Sequence, residues 1–249
     1  YFLGGIPFTY NKDLQEDKKN LWAVVTGCSH GIGRAYAEAL ARMGLNVILV
    51  SPDTENLKSI ASNIEAMYNV KTKVIKLDLS EGLETYNVIE KEMFGLEIGV
   101  LINNLGIIVH CNIVVVTNMC RILLPQMVVR GKGVIVNVAS MVAVLPSPLL
   151  TVFAATKAYI VKFSRDLQIE YGKQGVIVQC LLPGTVTNHT TESPRSGWLV
   201  PTPEKYVQSA IRTIGKENLC AKLFSSFVHY KQYFTGKSNS LKQFERQVC

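Results

Sequence analysis

The sequence predicts an α/β fold: a single doubly wound, mostly parallel sheet with helices on both faces. Three observations carry this. Short apolar runs recur at Leu21–Val25, Val47–Val50, Val100–Asn103, Val134–Ala139 and Val176–Leu182; continuous runs of this length mark strands covered on both faces. Longer amphipathic stretches lie between several of them, and strands that alternate with helices build a parallel sheet. The first run leads into a glycine-studded turn, Gly27-Cys28-Ser29-His30-Gly31-Ile32-Gly33. Such a turn brings backbone N–H groups and a helix N-terminus to a phosphate.

Residues 1–20 open apolar and continue charged from Lys12 to Lys19, which reads as a connector. The strand Leu21–Val25, the turn and an amphipathic helix to Met43 follow. After the strand Val47–Val50, a helix is expected over Thr54–Tyr68, with Thr54 as its N-cap because a short hydroxyl there can take a free backbone N–H. Thr72–Leu77 alternates as a strand does and ends at Asp78-Leu79, and Leu83–Phe94 has helical spacing. Thr151–Tyr171 is a long helix between the last two apolar runs. No repeat or low-complexity linker interrupts this order, so residues 21–220 read as one domain. Residues 221–249 form a C-terminal extension; Ser225 to Cys249 lacks a clear period and receives no assignment.

Composition narrows the function. A net charge of +7 fits an anionic partner such as a nucleotide, an acyl-CoA or a membrane surface, and equally an ordinary basic surface. The lysines are scattered, without the basic stripe that nucleic-acid binding needs. The six cysteines form no C-x-x-C pair and sit in or beside apolar runs, as reduced core thiols do. The four histidines are dispersed and no metal-ligand cluster is visible. No apolar run reads as long enough to cross a bilayer.

The glycines are spaced Thr-Gly-x-x-x-Gly-x-Gly from Thr26. Gly27 would permit the tight turn, Gly31 the approach of a phosphate, and Gly33 close packing of helix and strand. Asn103-Asn104-Leu105-Gly106 follows a further strand. Ser140 precedes Phe153-Ala154-Ala155-Thr156-Lys157, and Pro183-Gly184 closes the last strand. In this order the chain resembles the short-chain dehydrogenase/reductase family over most of Leu21–Gly215. Finer matches are Trp22–Gly27, Gly44–Leu49, His110–Ile113 and Thr202–Ile211. They are similar to the branch of 17β-hydroxysteroid dehydrogenases of types 3 and 12 and very-long-chain 3-ketoacyl-CoA reductases, inactive members included.

The resemblance implies a Rossmann-type sheet and a nicotinamide cofactor. It assigns that cofactor to Gly27, Ser29, Gly31, Ile32 and Gly33 at the phosphates, and to Asp78 at the adenine. Asn103 would lie beside the central strand, Lys157 on the ribose, and Asn188 (threonine in relatives) near the carboxamide. Leu105 stands where relatives have alanine and is expected to crowd the site. No acid follows the second strand until Asp53, as a site for the ribose 2′-OH would require. Relatives that use NADP place Ser-Arg where this chain has Ser51-Pro52, which leaves His30 and Arg34 as cations; the expectation is NADP(H). The resemblance further implies a lipid or steroid ketone substrate and an endoplasmic reticulum location through a membrane anchor upstream of residue 1; a homodimer is also expected, and nucleic acid is not.

By the same resemblance the catalytic group comprises Asn112, Ser140, position 153 and Lys157. The family's tyrosine donates a proton to the developing alkoxide, and the lysine four residues on lowers its pKa from the same helix face. Position 153 is phenylalanine, which keeps the ring and loses the oxygen. Tyr159, six residues on, faces another side of the helix. A positioned acid contributes roughly 10² to 10⁴-fold, so ketone reduction is expected to be very poor. The connection from Gly106 to Asn112 is also short. Five residues of helix rise about 7.5 Å, so one wall of the substrate cleft is expected to be reduced. Three readings stand: an impaired NADP(H)-linked reductase, a pseudoenzyme that binds nucleotide, lipid or protein without turnover, and a nonfunctional splice form or decayed copy.

Overall fold

The computed structural model describes residues 20–76, 84–104, 110–187, 200–215 and 219–220. Seven parallel strands form one sheet in the order β3-β2-β1-β4-β5-β6-β7. They are β1 (Leu21–Thr26), β2 (Asn46–Ser51), β3 (Thr72–Lys76), β4 (Glu97–Asn103), β5 (Gly133–Val138), β6 (Val176–Leu181) and the short β7 (Leu219–Cys220). The helices are α1 (Gly31–Arg42), α2 (Thr54–Tyr68), α3 (Glu84–Met93), α4 (Val116–Arg130), α5 (Thr151–Tyr171) and α6 (Pro203–Ile211). Each expected strand and helix is present, within about two residues except β4, which begins at Glu97.

The inner strands are largely apolar, yet their side chains still alternate between two cores. Ala23, Val25, Val47, Leu49, Val100, Ile102, Val134 and Val136 point to one face, against Leu40 of α1, Leu57 and Ile64 of α2 and Tyr206 of α6. Val24, Ile48, Val50, Leu101 and Ile135 point to the other, against Ile89 of α3, Met119 and Leu123 of α4 and Leu167 of α5. Both faces are therefore dry, which explains why the sequence shows runs rather than alternation.

The structure corrects two expectations, the cap of α2 and the length of the apolar runs, and adds two helices. The N-cap of α2 is Asp53, whose Oδ1 accepts the N–H of Asn56 at 3.3 Å; Thr54 is already helical. Asp and Thr compete at adjacent positions, and the extra charge favours Asp at the positive helix end. A helix unassigned in the sequence runs from Cys111 to Arg130, as a π turn (Cys111–Val115) continued by α4. Contrary to the sequence reading, its stretch Asn112–Arg130 is long and apolar enough to cross a bilayer. Val116, Met119, Cys120, Leu123, Leu124 and Met127 recur at helical spacing and are buried, so its apolar side serves the core of the sheet. Finally, Thr202 caps α6 by accepting the Lys205 N–H, and Pro203 occupies the first turn, where its missing N–H costs nothing.

The chain winds outward from β1 to β3 and returns to β4 on the other side of β1. The crevice between the carboxyl ends of β1 and β4 is the switch point at which open α/β sheets take ligands. Gly27 and Asn104 meet there.

Candidate active site and nucleotide cradle

The turn after β1 is tied down by β4. Asn104 Nδ2 donates to the Gly27 carbonyl at 2.9 Å, and Asn104 N–H donates to Thr26 Oγ1 at 3.2 Å. Gly27 has φ +61°, and a Cβ there would lie 1.9 Å from the Asn104 carbonyl oxygen. At Gly33 a Cβ would lie 2.3 Å from the Gly27 carbonyl oxygen, so this glycine packs α1 against its own turn. Gly31 has φ +57°, but open space where its Cβ would stand. His30 precedes α1 without a side-chain cap, which leaves the first N–H groups of the helix available to an anion. A cradle with room at Gly31 and free donors fits a pyrophosphate. Ile32 is partly buried against the core beside it.

Hydroxyls tie the turn to the end of β2. Ser29 and Ser51 share a hydrogen bond of 2.6 Å, and both are buried or nearly so. Asn56 Nδ2 donates to the Ser29 carbonyl at 3.0 Å and lies 3.4 Å from His30 Nε2. Arg34 pairs with Glu38 at 2.9 Å on the exposed side of α1. Asp78, Asn188 and the 105–109 connection lie outside the described residues.

Asn103 is buried, and its amide donates to Asn137 Oδ1 at 2.8 Å and to Cys120 Sγ at 3.7 Å. Asn137 Nδ2 in turn donates to Ser164 Oγ at 2.9 Å. This chain stitches β4 and β5 to α5 from within. Burial pushes the thiols of Cys28, Cys120 and Cys180 up to about 12, so all three are inert core groups near neutral pH.

Of the positions that the resemblance assigns to catalysis, Phe153 and Lys157 lie on the N-terminal half of α5, and Asn112 is tied to it through Thr156. Asn112 is fully buried in the π turn; such turns recur at functional sites. Its Nδ2 donates to Thr156 Oγ1 at 2.9 Å, and Thr156 Oγ1 donates to the Phe153 carbonyl at 2.8 Å. Among the described residues Asn112 Oδ1 has no hydrogen-bond partner. Ser140 follows β5 and accepts the Val142 N–H at 3.4 Å. Lys157 is 3% exposed, and its Nζ donates to the Val138 carbonyl at 3.2 Å and lies 5.6 Å from the Phe153 ring centroid. Tyr159 turns to α4 instead, with its hydroxyl 2.6 Å from Thr117 Oγ1 and its ring stacked on Phe163. Sequence reasoning missed Thr26, Asn56, Thr156 and Asn137, which are polar residues in apolar or helical runs whose partners lie far along the chain.

Burial lowers the Lys157 ammonium from its ordinary 10.5 to about 8, against a smaller upward pull from Cys180. Below pH 8 the lysine is charged in both folded and unfolded states and the folded state bears the desolvation. Between about 8 and 10.5 the unfolded chain binds the extra proton, so this group adds stability as pH rises, on the order of 3 kcal/mol in all. The stability advantage of Lys157→Met over the unmodified chain should therefore shrink between pH 8 and 10. Urea midpoints at both values measure it; a constant difference would mean the lysine is not desolvated.

The structure thus pairs a cradle at the switch point between β1 and β4 with a buried Asn112 and Lys157 tied to the first half of α5, and with the half-buried Ser140 at the end of β5. The chain belongs to the short chain dehydrogenase family, whose sequence profile matches residues 21–197. Within it, the chain is 40% identical over 228 residues to very-long-chain 3-oxoacyl-CoA reductase-A of Danio rerio, covering 84% of this chain and 71% of the relative. It is 39% identical over 216 residues to inactive hydroxysteroid dehydrogenase-like protein 1 of Homo sapiens, covering 78% of this chain and 66% of the relative. Both kinds of relative mark the branch to which it belongs. Its fold is similar to that of the alcohol dehydrogenase from the archaeon Thermococcus sibiricus complexed with 5-hydroxy-NADP, with a TM-score of 0.68, 26% identity, and coverage of 77% of this chain and 89% of that one.

Proposed function

We propose that this chain binds NADP(H) on a scaffold built to reduce lipid or steroid ketones, and that its turnover is impaired by the loss of one oxygen at position 153. The observation that carries this is the Phe153 ring beside Lys157, with Asn112 and Thr156 anchoring the backbone beneath it. Gly27, Ser29, Gly31, Ile32 and Gly33 would receive the pyrophosphate, and Lys157 the nicotinamide ribose. The bound nicotinamide would supply a hydride. The residues present can orient a carbonyl at Ser140 and hold a cation near it, yet Phe153 offers no proton. The archaeal relative crystallised with 5-hydroxy-NADP supports the cofactor class. The absence of an acid at Ser51-Pro52 and the capping role of Asp53 favour the phosphorylated form.

Binding without turnover is the second reading, favoured by the same ring and by the inactive relative. Titrating NADPH into the folded chain and following cofactor fluorescence tests both. Saturation below millimolar cofactor is expected, with NADH weaker. No saturable signal would remove the nucleotide from the proposal. An endoplasmic reticulum location rests on the resemblance to the branch; fractionation of cells that express the full transcript should find it with membranes, and a wholly soluble product would reject it.

A further inference from the structure

We propose that Phe153 is a positioning residue for Lys157: its ring face holds the ammonium over the site, so the nucleotide cradle keeps its cation although the proton donor is gone. This rests on the nucleotide-binding reading and adds a role to the residue that reading treats as a loss.

The two residues are four apart on α5, and helical side chains lean toward the N-terminus, so the lysine stem folds back over the phenylalanine. The ammonium lies 5.6 Å from the ring centroid, within the range at which an aromatic quadrupole attracts a cation. It is 3% exposed, so water does little to screen this attraction. The Val138 carbonyl takes one of the ammonium N–H groups at 3.2 Å and fixes its other side. The ring itself has a fixed base, because Thr156 bonds the Phe153 carbonyl and Asn112 bonds Thr156. Its neighbour Cys180 is a neutral thiol, pushed up to about 12 by burial, and brings no countercharge near neutral pH. An aliphatic residue at position 153 would fill the same space without this attraction.

Fluorinated phenylalanines at position 153 test this, since fluorine drains the ring face while keeping its shape. Along the series from phenylalanine to 3,4,5-trifluorophenylalanine, the acid dissociation constant of Lys157, followed by NMR of its labelled ε-carbon, should rise about tenfold, the size of a desolvated cation–π contact. NADPH affinity should fall in step, and Phe153→Leu should match the trifluoro chain. Circular dichroism checks that each variant is folded. Equal Lys157 titrations for phenylalanine, trifluorophenylalanine and leucine would overturn the proposal. If the unmodified chain fails to bind NADPH, the nucleotide reading falls, while the lysine titration still decides the role of the ring.

Discussion

Phe153→Tyr is expected to raise NADPH-dependent ketone reduction by two decades or more, the lower end of what a positioned acid contributes. The new hydroxyl extends a ring already anchored through Thr156 and Asn112. Lys157, beside that ring, favours the phenolate and draws the acid toward neutral pH. The substitution adds one oxygen to a half-buried ring, so packing should hold. The measurement is NADPH oxidation with a 3-ketoacyl-CoA or a 17-keto steroid. No gain with cofactor binding intact would mean the substrate cleft itself is lost. Brisk reduction by the unmodified chain, barely improved by tyrosine, would mean that another group donates the proton.

The second large effect is on stability. Gly27→Ala forces a Cβ to 1.9 Å from a backbone oxygen at φ +61°. A backbone atom cannot step aside as a flexible side chain can, so the loss should exceed about 4 kcal/mol, the exceptional end for one substitution. Gly31→Ala meets no neighbour, and its φ of +57° should cost only about 1–2 kcal/mol. Its methyl group would fill the cradle instead, so NADPH binding should weaken far more than folding. Urea denaturation and NADPH titration of both variants separate the two roles. Similar stability losses would show that the Gly27–Asn104 contact relaxes freely.

The sequence makes the inner strands legible because most are apolar on both faces, whereas β3 shows itself by alternation and the two-residue β7 has no pattern to read; α5 is legible because a continuous helical period runs from Thr151 to Tyr171. The Cys111–Arg130 helix was harder to see. Its apolar positions recur at the right spacing, but Pro125 interrupts the pattern and the start is a π turn. The resemblance to the family assigns Ser140, Asn112, Phe153 and Lys157 to the site. The ties around these residues are not legible in the sequence. Asn104 to Gly27 spans 77 residues and Asn112 to Thr156 spans 44, and no local pattern marks such pairs. The cap at Asp53 depended on one φ/ψ choice between neighbours that can both cap.

The ring at position 153 also bears on descent. Phenylalanine and tyrosine codons differ at a single base, and Lys157, Asn112, Thr156 and Ser140 are all present in the chain. A lineage with this sequence stands one nucleotide from a phenolic hydroxyl at position 153. On the proposed reading, such a loss is cheap to enter and cheap to leave.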